Sequence, residues 1–149
     1  MSLEHLQLVL SDFGKAVGIE ELALDENGYC CLKFDDTVVN VEASAESGQL
    51  FLYTNLGEIP PEKREAFYEM LLEANFFYKL TAGGVIGIDK DANIVSLAYQ
   101  TPCAGLESRR FEKMLENFIS VAETWSQKLK EFQAAPDSGG RSLPNGMRA

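Results

Sequence analysis

A glycine pair in the middle of the chain narrows the possible folds more than any other feature. Residues 74–102 read ANFFYKLTAGGVIGIDKDANIVSLAYQTP. The stretch joins the end of an amphipathic helix to a β-hairpin. Phe76, Phe77 and Tyr78 crowd three aromatics just past the helix, Gly83-Gly84 frees the backbone, and Val85-Ile86-Gly87-Ile88 starts a strand. The cluster Asp89-Lys90-Asp91-Ala92-Asn93 is turn chemistry, and Ile94 to Gln100 returns as a second strand.

The flanking segments carry equally definite periods. Leu3, Leu6, Val9, Leu10, Phe13 and Val17 recur at helical spacing, with Gly18 suited to the position beyond the helix end. Leu8 falls off that stripe. Asp25-Glu26-Asn27-Gly28 signals a turn, after which residues 29–34 and 37–43 read as strands separated by Asp35-Asp36, a spacing that fits a short antiparallel hairpin. In the first of these, Cys30, Leu32 and Phe34 share a face; in the second, Val39, Val41 and Ala43 do. Residues 49–55 supply a third strand with large apolar groups on both sides, Leu50 and Leu52 against Phe51 and Tyr53. Such a strand is expected to be covered on both faces, by a helix, a second subunit or a client.

A second helix is expected from Pro61 onward, with Phe67, Met70, Leu71 and Ala74 at i, i+3, i+4 and i+7. Leu72 and the aromatics at 76–78 lie off or beyond this stripe, an apolar excess that subunit association would explain. After the hairpin, Leu106, Phe111, Met114, Leu115, Phe118, Val121, Ala122, Trp125, Leu129 and Phe132 hold a helical stripe for about seven turns, the strongest period in the chain. Residues 135–149 lose all periodicity and are expected to be a disordered tail behind a single domain at 1–134.

The resulting order, α-β-β-β-α-β-β-α, describes an α+β domain. It implies a five-strand, mostly antiparallel sheet with the first and third helices packed on one face and the second helix near a subunit contact. At 149 residues the chain fits one domain able to bury a sizeable core. Its formal charge of -10 repels phosphates and anionic lipid, so nucleic acid and membrane are poor partners and basic protein segments are better ones. With no signal-like start and no membrane-length apolar run read in the sequence, the chain is expected in the cytosol.

The search for reactive chemistry returns structural readings throughout. His5 is the single histidine, on the first turn of a helix, and is read as solvated. Asp89, Asp91 and Asn93 match the start of a calcium loop, but Ile94 stands where glycine is required and Gln100 where glutamate should clamp the ion. Gly83, Gly84 and Gly87 lack the motif and the strand-to-helix context of a phosphate cradle. Glu20-Glu21 and Asp35-Asp36 are hydrated neighbours on turns. Cys30, Cys31 and Cys103 form an odd set with two adjacent members, unlike a disulfide framework. No cofactor, metal or nucleotide is called for, and no enzyme is expected.

The helix ending in EANFF, the Gly-Gly bend, IGID, the acidic turn and the return strand ending in Pro102 together resemble the CesT-like class I chaperones of type III secretion, the Tir chaperone family. As an order of elements the likeness spans about residues 3–132, and it is sharp over 71–102. It implies the family's fold and a homodimer joined through the second helix and the neighbouring strand, here Phe67, Met70, Leu71, Ala74, Val85, Ile86 and Ile88. It further implies a cytoplasmic chaperone of a Gram-negative bacterium that binds the N-terminal region of a secreted effector before export, the export ATPase being a further candidate partner. By likeness of element, the client groove would use Leu6, Leu10, Leu32, Phe34, Val39 and Val41. A YbjN-like stand-alone adaptor binding a folded partner is the alternative within the same fold, and a thiol redox protein using Cys30 or Cys31 is the alternative from the enzyme class.

Overall fold

The computed structural model describes residues 3–19 and 21–135. The expected tail therefore lies, from residue 136 on, outside the described residues, as does Glu20. The elements follow the expected order: α1 (Leu3–Val17), β1 (Tyr29–Phe34), β2 (Thr37–Ser44), β3 (Gln49–Glu58), α2 (Arg64–Asn75), a single 3-10 turn (Phe76–Tyr78), β4 (Val85–Asp89), β5 (Ile94–Pro102) and α3 (Ser108–Ala134). The strands form one sheet in the order β1-β2-β3-β5-β4, and every neighbouring pair is antiparallel.

Alternation along each strand sends one set of side chains inward. Cys30 and Leu32, Val39 and Val41, Leu50 and Leu52, and Val95 and Leu97 are buried on one face, where α1 and α3 cover them. The two helices lock together through Phe13 and Phe111, whose rings meet edge to face at 5.3 Å. Trp125, near the middle of α3, is 2 % exposed and donates its indole N–H to the carbonyl of Leu80 at 2.9 Å, tying the α2–β4 connection to the core. A buried indole needs such an acceptor, because an unpaired N–H in an apolar site is costly.

Strand β5 runs on to Pro102 rather than ending at Gln100, α3 begins at Ser108, beyond Leu106, and two further boundaries differ from the sequence reading for a visible local reason. Strand β3 runs three residues past Asn55, across an irregularity between Asn55 and Gly57 where Asn55 Oδ1 accepts the Gly57 N–H at 2.8 Å. Gly57 sits at φ +150° with α3 so close that a Cβ would lie 3.3 Å from Leu129 Cδ2. A glycine that looks like a strand terminator is there to let the bulge pass under the helix. Helix α2 begins at Arg64 rather than Pro61, because Lys63 adopts a left-handed conformation at φ 59° and delays the helix by three residues.

The glycine pair does what its position suggests. Gly83 takes φ +93°, and a Cβ on Gly84 would stand 2.9 Å from the carbonyl oxygen of Ala98. At the hairpin turn, Asp89 Oδ1 accepts the N–H groups of Asp91 and Ala92, both at 3.1 Å, so the carboxylate that could have suggested a metal ligand caps its own turn. No group of three or more His, Cys, Asp or Glu able to hold a metal ion occurs among the described residues. No helix among them is long and apolar enough to cross a membrane.

Candidate protein-interaction site

Apolar surface left in water is concentrated on α2 and on the chain between its end and β4. Leu72 is 71 % exposed, Phe76 64 % and Phe77 84 %, and Tyr78, Leu80, Val85 and Ile88 continue the patch onto β4. Phe77 and Tyr78 hold left-handed backbone conformations, φ 54° and 56°, an uncommon state for bulky side chains. Strain of this kind persists only where the surroundings over-determine it. Here it presents aromatic rings to solvent instead of folding them under the helix.

Along α2 itself two ridges run side by side at four-residue spacing. Glu65, Glu69 and Glu73 form one and Tyr68, Leu72 and Phe76 the other, with an open groove of about 740 Å³ between them. The helix is thus apolar on two sides: Phe67, Leu71 and Ala74 face the core, and Leu72 and Phe76 face away from it.

The neighbouring edge of the sheet is partly closed. Asn75, the last residue of α2, accepts the Ile86 N–H at 2.9 Å and donates to the Ile86 carbonyl at 2.8 Å. One side chain thereby occupies both main-chain groups that a further strand would use at that point of β4. Gly87, next along this edge, has nothing within 4 Å of where a Cβ would stand, so contacts within this chain give no reason for a glycine there.

At the other edge β1 is more open. The Tyr29 carbonyl accepts the Asp25 N–H at 2.8 Å and Asp25 Oδ1 accepts the Tyr29 N–H at 3.0 Å. By alternation Cys31 and Lys33 direct their main-chain groups the same way, outward from the sheet. Beside them lies a groove of about 590 Å³ lined by Ile19, Leu22, Leu32 and the β1 backbone. The outer face of the sheet next to this edge carries Val38, Phe51 and Tyr53, the last donating its hydroxyl to Glu42 at 3.1 Å. Burial, reinforced by the Glu42 carboxylate, pushes the Tyr53 phenol up to about 12.

Measured against these surfaces, the residues singled out from sequence sort unevenly. Leu6, Leu10, Val39 and Val41 have no exposed area and Leu32 is 3 % exposed; only Phe34 of that set is half-buried. Leu6, Leu10, Val39 and Val41 belong to the core, where a side chain enclosed by the helices and the sheet has no surface left for a client, and Leu32 reaches the groove beside β1 only with its margin. In the interface set, Phe67, Leu71, Ala74 and Ile86 are buried within the chain, whereas Met70, Val85 and Ile88 reach the surface. Leu72, Phe76, Phe77 and Tyr78 are the most exposed apolar groups of this patch, and their position off or beyond the helical stripe is the sequence signal for them.

Two further expectations meet the geometry. His5 is exposed as a ring, yet its Nε2 donates to the Leu106 carbonyl at 2.8 Å and pins the start of α1 to the approach to α3. Cys30 is buried and Cys31 exposed on opposite faces of β1. Burial pushes the Cys30 thiol up to about 11, away from the thiolate that a redox or nucleophilic role needs.

The Tir chaperone protein (CesT) family model matches residues 9–126. Among curated proteins, the transcriptional anti-antiactivator ExsC of Pseudomonas aeruginosa is 28% identical over 122 residues, covering 81% of this chain and 83% of ExsC. The crystal structure of the ExsC-ExsE complex superposes with a TM-score of 0.73 at 26% identity, over 85% of this chain and 96% of the other. The HopA1-SchA chaperone-effector complex gives a TM-score of 0.69 at 18% identity, over 85% and 98% of the two chains, and shows a shared fold. YbjN from E. coli shares the fold at a TM-score of 0.57 with 9% identity, over 89% and 94% of the chains, which carries no functional likeness.

Proposed function

Since the chain belongs to the Tir chaperone protein (CesT) family, we propose that it binds the N-terminal region of a type III secretion effector in the cytoplasm and holds it for export. The observation that carries this reading is the open edge of β1 beside a groove whose lining mixes Ile19, Leu22 and Ala23 with Glu21 and Lys33. An extended client segment pairs its main chain with the outward groups of Cys31 and Lys33, and sets apolar side chains against Ile19 and Leu22. Main-chain hydrogen bonds supply affinity and the groove supplies selectivity. The client segment orders as it binds, so its release for export recovers that entropy. A formal charge of -10 steers basic segments toward the surface.

The exposed α2 and β4 patch serves a second copy of the chain in this reading. Met70, Leu72, Val85 and Ile88 make the contact, and Phe67, Leu71, Ala74 and Ile86 hold the patch in place from beneath. In a two-fold dimer the same patch faces itself, so the ridge of Glu65, Glu69 and Glu73 belongs at the rim, where water screens like charges.

The test is co-expression with products of adjacent coding sequences, followed by size-exclusion chromatography. A stable complex is expected with one of them, formed through its N-terminal region. Lys33→Pro removes one outward N–H at an edge where proline is tolerated, so it should leave the fold intact and weaken the complex at least tenfold. A complex indifferent to Lys33→Pro would exclude strand pairing at β1.

A further inference from the structure

A groove of about 440 Å³ lies on the outer face of the sheet, opposite the face that α1 and α3 cover. Phe51 of β3 and Tyr78, ahead of β4, line it together with Ala98 and Val85, which stand side by side in the register of β5 and β4. A side chain as short as Ala98 among aromatic neighbours leaves a recess, since the pleat sends all of these groups to one face. Gly87, the next outward position of β4 after Val85, has open space where a Cβ would stand, which suits close approach by another chain.

An aromatic ring stands next to this recess without entering it. Phe77 precedes Tyr78 in the chain, is 84 % exposed and takes no part in the lining. Its backbone is left-handed at φ 54°, and the Phe76 ring meets it at 4.6 Å between centroids, so its neighbours hold it outward. Area points to what covers it. Phe76, Phe77 and Tyr78 are 64, 84 and 58 % exposed, roughly 400 Å² together at about 200 Å² for each ring, which is half of the about 800 Å² that each partner buries in a standard interface. A contact through Met70, Leu72, Val85 and Ile88 alone falls short of that figure. Val85 belongs both to that contact and to the recess, so the two surfaces are continuous.

We infer that in the dimer Phe77 of each copy seats in the recess of the other, against Phe51 and Tyr78 and over Ala98. A two-fold axis permits the exchange, because a knob and a recess adjacent on one copy meet the recess and the knob of the second. The inference rests on the reading that the α2 and β4 patch seats a second copy, and it names the anchor that makes this pairing selective.

Two variants remove the contact from opposite sides. Phe77→Asn deletes the ring and suits a left-handed backbone, so the fold should stay intact. Ala98→Trp fills the recess from a position that is exposed in the single chain. Each variant loses both symmetric contacts, and at about tenfold for each its dimer should dissociate roughly a hundredfold more readily, measured by analytical ultracentrifugation with an unchanged circular dichroism spectrum. Mixing the two variants restores one contact, since the Ala98→Trp copy still supplies Phe77 and the Phe77→Asn copy still offers an open recess. The mixed pair should be about tenfold tighter than either variant with itself. Unchanged dimer affinity in either variant, or a mixed pair no tighter than its parents, overturns the inference while the dimer through α2 and β4 stands. A client complex weakened by Ala98→Trp at unchanged dimer affinity gives the recess to the client and overturns it as well. A monomeric wild-type chain ends both readings.

Discussion

Helices α2 and α3 pack against one sheet and distribute their apolar side chains in opposite ways. In α3 the stripe from Phe111 through Met114, Leu115, Phe118, Ala122 and Trp125 to Leu129 is wholly buried, while Glu112, Lys113, Glu116 and Lys128 stand on its other side. In α2 the inward stripe is only Phe67, Leu71 and Ala74, and a second one, Leu72 with Phe76, meets water. A helix with one apolar stripe is accounted for by its own chain; a helix with two implies a second contact, because exposed apolar area of this kind gains free energy on being covered.

The contrast can be broken most directly at α3. Phe111→Ala should cost about 3–5 kcal/mol, read from urea unfolding followed by Trp125 fluorescence. A loss under about 1 kcal/mol would show that α3 is not the principal cover of the sheet. Next in size is Asn75→Ala, which strips both hydrogen bonds from Ile86 and should cost about 1–3 kcal/mol. It should also leave β4 more open to pairing, so hydrogen exchange at Ile86 should accelerate.

The α2 side of the comparison predicts association rather than stability. Light scattering at micromolar concentration should report a dimer, and Leu72→Glu combined with Phe76→Glu should weaken it at least tenfold, about 1.4 kcal/mol, with an unchanged circular dichroism spectrum. A wild-type monomer under those conditions ends the proposal that the second stripe seats another copy. Phe67→Glu does not test this, because that residue is fully enclosed and its charge would unfold the chain.

The smallest effect concerns the covered inner face. Burial raises the Cys30 thiol from 9.0 to about 11. The unfolded chain therefore releases this proton before the folded one, and stability present below about pH 9 declines as pH rises toward 11. Denaturant midpoints should fall across that window, and less steeply in Cys30→Ala. An identical slope in the variant would assign the decline to other groups, Tyr53 and Cys103 among them, which burial also raises.

Much of the fold was readable because its signals are local. Alternation in β1 and β2, the α3 stripe and the Gly83-Gly84 break each depend on neighbours a few residues apart. Two of the misplaced boundaries have other causes: Gly57 is explained by Leu129, far along the chain in α3, and Lys63 by a left-handed turn that its own sequence does not announce. The interaction surface was legible in part. Leu72 and Phe76 declared themselves by falling off a helical stripe. Leu6, Leu32 and Val41 gave no sign that they would be enclosed, since an apolar residue on the right face of an element has the same sequence signature whether a helix or a client covers it.

Periodicity and turn chemistry, then, determined the elements, their order and the family likeness, because those depend on spacing along the chain. Which apolar residues remain in water, and that Asn75 occupies Ile86 on one sheet edge while Asp25 occupies only Tyr29 on the other and leaves Cys31 and Lys33 open, were decided only by the packed structure. Accessible surface is a property of what lies across the fold from a side chain, and that neighbour can be distant in sequence.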